Sequence, residues 1–231
     1  MHIAMCHLIR HPWIVKIANV INRNPTAVKM KIGNLGAFDS ELKLRGIVGL
    51  SKTSHIDEIV WNDYVNNWDK LAYDAEKLLS VNGEGLIENF IDLPIGSEKY
   101  VIAKRRINQR FFRDAVLSSY NSRCCISGIT EPSLLEAAHI ISWTENETER
   151  TNPQNGLCLN SFFHKAYDNF LLSVTADFKI ILSEKLLSSV KDNRTYSYLY
   201  SFQNGKITLP NRFIPNKINL EIHHDKYMSR N

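Results

Sequence analysis

Apolar positions along the chain recur at helical spacing in four places and in short strand-like runs in its last half. Residues 14–21 (IVKIANVI) form a short apolar stretch, and Asn24-Pro25-Thr26 interrupts it. AVKMKIGNL then restarts a helix with Ala27, Met30 and Ile32 or Leu35 on one side and Thr26 as its expected N-cap. Gly33, Gly36, Gly46 and Gly49 make a looser stretch to Ser54. Over 55–79, Ile59, Trp61, Tyr64, Trp68, Leu71, Ala72, Ala75, Leu78 and Leu79 return to a period of three to four, which predicts a helix with these residues as its core face. Gly83, Gly85, Pro94 and Gly96 mark a boundary at 80–98. Residues 104–120 (KRRINQRFFRDAVLSSY) predict another helix, with Phe111 or Phe112, Ala115, Val116 and Tyr120 inward. After Gly128 come a strand-like run (LLEAAHIISW), a polar loop, an apolar run (GLCL), a helix over about 161–167 and two more strand-like runs (FLLSV and FKIILS). The pattern is α+β, helices first.

Composition narrows the class. The 231 residues are 44% hydrophobic and 23% charged, enough to build a core without covalent staples. No apolar run approaches the roughly 18 residues of a membrane span, and the N-terminus has no signal-peptide pattern. Cys6, Cys124, Cys125 and Cys158 have no disulfide-framework spacing, which points to the cytoplasm. They also lack the paired spacing of a structural zinc site, and packing as small hydrophobes is expected.

The net charge of +4 is unevenly spread. Residues 10–46 carry seven Lys/Arg against two acids, and 99–123 carry seven against one, whereas 57–94 carry two Lys against nine acids. Two basic blocks suit a polyanionic partner. The first falls on a helix-turn-helix-like pair carrying Lys29 and Lys31. The second places Lys104, Arg105, Arg106, Arg110 and Arg113 at the front of the 104–120 helix, a position that the macrodipole disfavours and a phosphate would offset.

The chemistry-bearing stretch is 124–172. His139 ends an apolar strand, Asn155 opens the next run, and His164 falls on a short helix with Asp168 one turn on. At i and i+4 these two side chains share a face and can grip one cation, while the opposing His139 can take a proton from water. A Cys/His hydrolase built on Cys125 or Cys158 with His139 leaves Asn155 and His164 without a role. His223 and His224, adjacent and therefore divergent, are expected as surface or phosphate contacts.

The order of strand-His, Asn and helix-His resembles the HNH endonucleases. The resemblance covers roughly residues 105–172, through R-x-x-V-x-x-x-Y (Arg113 to Tyr120), C-x-x-S-G (Cys124 to Gly128), L-E-A-A-H-I, N-P-x-N-G-L-C-L and H-x-A-Y-D. It is closest to the branch of predicted restriction endonucleases. The resemblance implies a ββα-metal nuclease core in which His139 is the general base, Asn155 fastens the hairpin loop, and His164 holds the metal. Many relatives carry a metal-binding Asp or His just before the base, where this chain has Ala138. Asp168 is the expected replacement, ahead of Glu136 or Asn160. One divalent ion, Mg²⁺ or Mn²⁺ with Zn²⁺ as an alternative, is the implied cofactor.

The stretch from IANVINRNPT to SKTS resembles a helical module that precedes this core in many such proteins. There a further helix comes first, so the unmatched MHIAMCHLIR predicts either a module without it or a misplaced start codon. The expected organisation is a helical DNA-binding module (1–80), a linker (81–97) and the nuclease domain (98–231). The expected function is metal-dependent hydrolysis of double-stranded DNA in a restriction or defence setting by a homodimer, since two strands need two sites. Lys29, Lys31, Arg105, Arg106, Arg110 and Arg113 are the expected phosphate contacts. The competing expectations are a DNA-binding regulator with a weak or dead centre, kept open by Ala138, and an RNA-directed nuclease.

Overall fold

The computed structural model of the chain describes residues 11–50, 52–85 and 94–231. The opening MHIAMCHLIR with Cys6, and part of the expected 81–97 linker, lie outside the described residues. The chain divides into two compact units, 1–107 and 108–231. Among the described residues no helix is long and apolar enough to cross a membrane.

The first unit is helical: α1 (Pro12–Val20), α2 (Pro25–Gly36), α3 (Ser40–Leu44), α4 (His55–Tyr64) and α5 (Trp68–Val81), with the start of α6 (Glu98–Ser119). The expected helix pair is present, but its cap is Asn24 rather than Thr26. The Asn24 side chain accepts from the Thr26 N–H at 2.8 Å, and Pro25 takes the first helical position, where its missing N–H costs nothing. The buried face of α2 also differs from expectation. Val28 packs with Ile14 and Ala18 of α1, whereas Met30 and Ile32 are exposed. Lys31 ties α2 to α4 instead, with its ammonium 2.6 Å from the buried Asp57. Asp57 also closes a capping box with Ser54 at the head of α4. The Lys31 ammonium and the Ser54 N–H hold its carboxyl at about 2.

The single helix expected over 55–79 is two helices. The chain breaks at 65–67, where Asn66 adopts φ +62°, a conformation that Asn tolerates better than most residues. The apolar period runs through the break and conceals it. Ile59 and Leu78, expected inward, are exposed. Helix α6 begins at Glu98, six residues before the expected start. Lys104, Arg105 and Arg106 therefore stand well inside the helix, and the macrodipole penalty argued for them does not arise.

The second unit carries an antiparallel hairpin, β1 (Leu135–His139) with β2 (Gly156–Asn160), paired from Leu135↔Asn160 to His139↔Gly156. Helix α7 (Ser161–Asp168) leaves β2 directly, its N-cap Asn160 accepting from the Phe163 N–H at 2.9 Å. A second hairpin, β3 (Leu172–Val174) with β4 (Ile180–Leu182), and helices α8 (Glu184–Ser188), α9 (Asn193–Tyr200) and α10 (Lys217–Met228) complete it. The core joins Phe112 and Val116 of α6, and Tyr120 just after it, to Leu135, Leu157, Leu159, Phe163, Tyr167, Leu172 and Leu220. At Gly156 the side chains of α6 lie close against the hairpin. A Cβ there would stand 2.3 Å from Val116 Cγ2 and 3.0 Å from Phe112 Cζ. Cys124, Cys125 and Cys158 are free and buried in this core. Burial raises the Cys158 thiol to about 12 and pushes Cys125 up as well, so neither supplies a thiolate nucleophile.

Candidate active site

His139 ends β1 against the start of β2, and its environment fixes its chemistry. Its Nε2 lies 3.0 Å from the Arg150 carbonyl oxygen. A carbonyl only accepts, so the proton sits on Nε2 and Nδ1 keeps the lone pair. Phe112 stacks on the ring at 3.7 Å and 11°, and Trp143 meets it edge-on at 5.7 Å. Burial lowers the pKa of His139 below the ordinary 6.5, more than the Arg150 carbonyl and Asp168 raise it.

The loop between the strands is held by a fully buried amide. Asn155 Oδ1 accepts from the Ile141 N–H at 2.8 Å, and Nδ2 donates to the carbonyls of Ile141 at 3.0 Å and Glu149 at 3.2 Å. Asn219 of α10 donates to Asn155 Oδ1 at 3.1 Å and to Glu149 Oε2 at 2.9 Å. Arg150, whose carbonyl orients His139, donates through Nε to the Trp143 carbonyl at 2.7 Å. Asn219 carries no local signal in the sequence, because its partner lies 64 positions away.

His164 projects from α7 between two carboxylates. Nδ1 lies 2.6 Å from Glu136 Oε2, and Nε2 lies 3.4 Å from Asp168 Oδ2. Two donors on one ion, at bonds of about 2.1 Å and angles near 90–110°, stand roughly 3.0–3.4 Å apart. Nε2 of His164 and Asp168 fit that spacing; the 2.6 Å pair with Glu136 is too close and is a hydrogen bond. Glu136 thus fixes the tautomer, as carboxylates commonly do for metal-bound histidines. The Nε2 lone pair then faces a carboxylate, and two acceptors so opposed require a proton or a cation between them. Burial raises the Glu136 carboxyl, but hydrogen bonds from Ser161 and His164 and the nearby Arg113 charge outweigh it and leave its pKa lowered. Glu136 shares a strand face with Ala138, two residues on, whose methyl is fully buried. Glu136, on that face, is engaged by the hydrogen bond to His164. Asn160, the remaining candidate ligand, is engaged as the α7 cap and donates to Ser127 Oγ at 2.9 Å. Among the described residues no three His, Cys, Asp or Glu side chains close around one point. A two-donor site leaves positions for water and substrate oxygens, as Mg²⁺ sites usually do.

His139, His164 and Asp168 line one cavity of about 370 Å³, together with His223, Lys226 and Arg230 of the C-terminal segment. Residues 124–175 match the family model of the HNH endonucleases. No curated protein is similar enough in sequence to count as a match. The HNH segment runs from Cys124 past Asp168 and includes both strands, Asn155 and α7. An HNH segment implies nuclease activity, and such nucleases generally use a divalent metal ion.

Outside the HNH segment the expected phosphate contacts divide. Lys31 is held by Asp57, Arg110 pairs with Asp114 at 3.0 Å, and Arg113 Nη2 donates to the Leu135 carbonyl at 2.7 Å, tying α6 to the hairpin. Arg105 and Arg106 are exposed and Lys29 is partly so; none of the three has an ion pair among the described residues. His223 is not a surface residue: it is buried, stacks on Tyr167 at 3.8 Å and 4°, and has its pKa lowered to about 4 by burial.

Proposed function

We propose that this chain is a metal-dependent endonuclease that hydrolyses phosphodiester bonds of double-stranded DNA in a restriction or defence setting. The observation that carries the reading is the 3.0 Å contact of His139 Nε2 with the Arg150 carbonyl, which leaves Nδ1 as the free acceptor of a residue that lines one cavity with His164 and Asp168. Its lowered pKa keeps the imidazole neutral, as a base requires, at physiological pH. His139 Nδ1 takes the proton of a water whose oxygen attacks phosphorus. The P–O3′ bond breaks, leaving a 5′-phosphate, and the departing 3′ oxygen takes a proton from solvent water to become the 3′-hydroxyl. His164 and Asp168 would hold a divalent ion, which would supply charge neutralisation to the transition state. Asn155 keeps the loop that carries Arg150 in place, and Glu136 keeps His164 in its ligating tautomer. Residues 12–80 form the DNA-positioning module, Lys29 within it and Arg105 and Arg106 on α6 contact phosphate, and a homodimer supplies one site per strand.

Incubation of supercoiled plasmid with Mg²⁺, Mn²⁺ or EDTA tests this. Wild type converts the plasmid with a divalent ion, and His139→Ala does not. Absence of cleavage on modified and unmodified DNA with every metal defeats it in favour of a DNA-binding regulator, the reading that Ala138 supports. Cleavage of RNA with duplex DNA spared moves the substrate to RNA.

A further inference from the structure

Beyond the HNH segment, the cavity has a cationic wall with no part in the steps above. Lys226, in the last turn of α10, and Arg230, just after it, line the same space as His139, His164 and Asp168. Arg230 Cζ stands over the Phe170 ring, 3.9 Å from its centroid, and among the described residues its guanidinium has no hydrogen bond or ion pair. A guanidinium held over an aromatic face by its cation–π contact keeps its N–H donors available, which suits bidentate phosphate contacts.

Phe170 itself is placed at a cost. It adopts φ +55° in the turn directly after α7, a region unfavourable to a bulky side chain. Its ring stacks on His223 at 5.0 Å, and His223 stacks on Tyr167. The Asn231 side chain donates to the Phe170 carbonyl at 2.9 Å. One layer of rings therefore runs from the helix bearing His164 and Asp168 to Arg230. Lys226 makes an ion pair with Glu145, on the loop between β1 and β2, with both side chains more than a third exposed. A solvent-screened pair of this kind is weak, so an incoming phosphate can displace the carboxylate.

We propose that Arg230 and Lys226 form a second phosphate subsite, which binds the nucleic-acid backbone next to the phosphodiester being cut, and that Glu145 occupies Lys226 until that phosphate arrives. The inference rests on the nuclease reading only for where cleavage falls. Binding of the backbone is a separate measurement.

The test uses the full chain and a fluorescein-labelled DNA duplex in EDTA, read by anisotropy over a salt series, with thermal melting as a folding control. Arg230→Ala and Lys226→Ala each raise Kd about tenfold and reduce the salt slope by about 0.9. Arg230→Lys recovers the slope but not the full affinity, because it lacks the fork. Glu145→Gln moves the other way and lowers Kd, which loss of a merely structural ion pair would not do. Arg230→Ala with Kd within twofold of wild type and an unchanged slope overturns the proposal. So does Glu145→Gln that binds more weakly. A wild type that binds duplex but never cuts it overturns the nuclease reading alone, and one that binds no duplex even at low salt overturns both.

Discussion

His139 and His164 sit in one cavity, yet their partners give them opposite tautomers. The Arg150 carbonyl leaves His139 with a free Nδ1, whereas the Glu136 carboxylate leaves His164 with a free Nε2 facing Asp168. The roles separate accordingly. His139→Ala is expected to lose about 10²–10⁴-fold in cleavage rate while titrating Mn²⁺ in calorimetry as wild type does. His164→Ala is expected to lose the calorimetric signal as well as the rate; equal Mn²⁺ affinity in the two variants contradicts the assignment. The pH dependence has a defined sign. The neutral imidazole is the base and burial depresses its pKa, so the acid limb of single-turnover cleavage falls below pH 6.5. A limb above 6.5 contradicts the buried base.

At the scale of elements, the hairpin is positioned by contacts at its ends. Asn155→Ala leaves the Ile141 N–H and carbonyl without their buried partner, at about 1–3 kcal/mol per group, and is expected to lower the melting temperature and cleavage together. Gly156→Ala probes the other side. Its methyl meets Val116 and Phe112, so the strand or α6 must shift, at about 1–3 kcal/mol. Because Phe112 is the ring stacked on His139, the rate is expected to fall further than the melting point alone explains; unchanged turnover would show that the stack does not position the base.

For the molecule as a whole, each basic block divides. Lys31 and Arg113 are tied into the fold and Arg110 pairs with Asp114 at the surface, whereas Lys29, Arg105 and Arg106 have no ion pair among the described residues. Replacing those three with Ala is expected to reduce the salt slope of duplex binding by about 0.9 for each phosphate they neutralise. No change in slope places the duplex elsewhere. The helical unit has its own pH signature. Asp57 titrates at about 2 instead of 3.8, so its contribution to stability is present above about pH 4 and lost as pH falls toward 2. Circular dichroism of Asp57→Asn should show lower stability at neutral pH and less acid sensitivity.

The sequence determined what depends on neighbours along the chain. Spacing alone identifies the strand bearing His139, the strand opened by Asn155, and the helix that puts His164 and Asp168 one turn apart, because strand and helix periods fix which side chains share a face. Other features were hidden. Asn24 took the cap from Thr26, the 55–79 period ran through a break at Asn66, and α6 began at Glu98, all choices between local options of similar energy. Only tertiary structure could decide the tautomers of the two histidines, the place of Glu136 beside His164, the anchoring of Asn155 by Asn219, and the arrival of Lys226 and Arg230 at the cavity. Those depend on hydrogen bonds and ring stacks between residues tens of positions apart, which exist only once the core has closed.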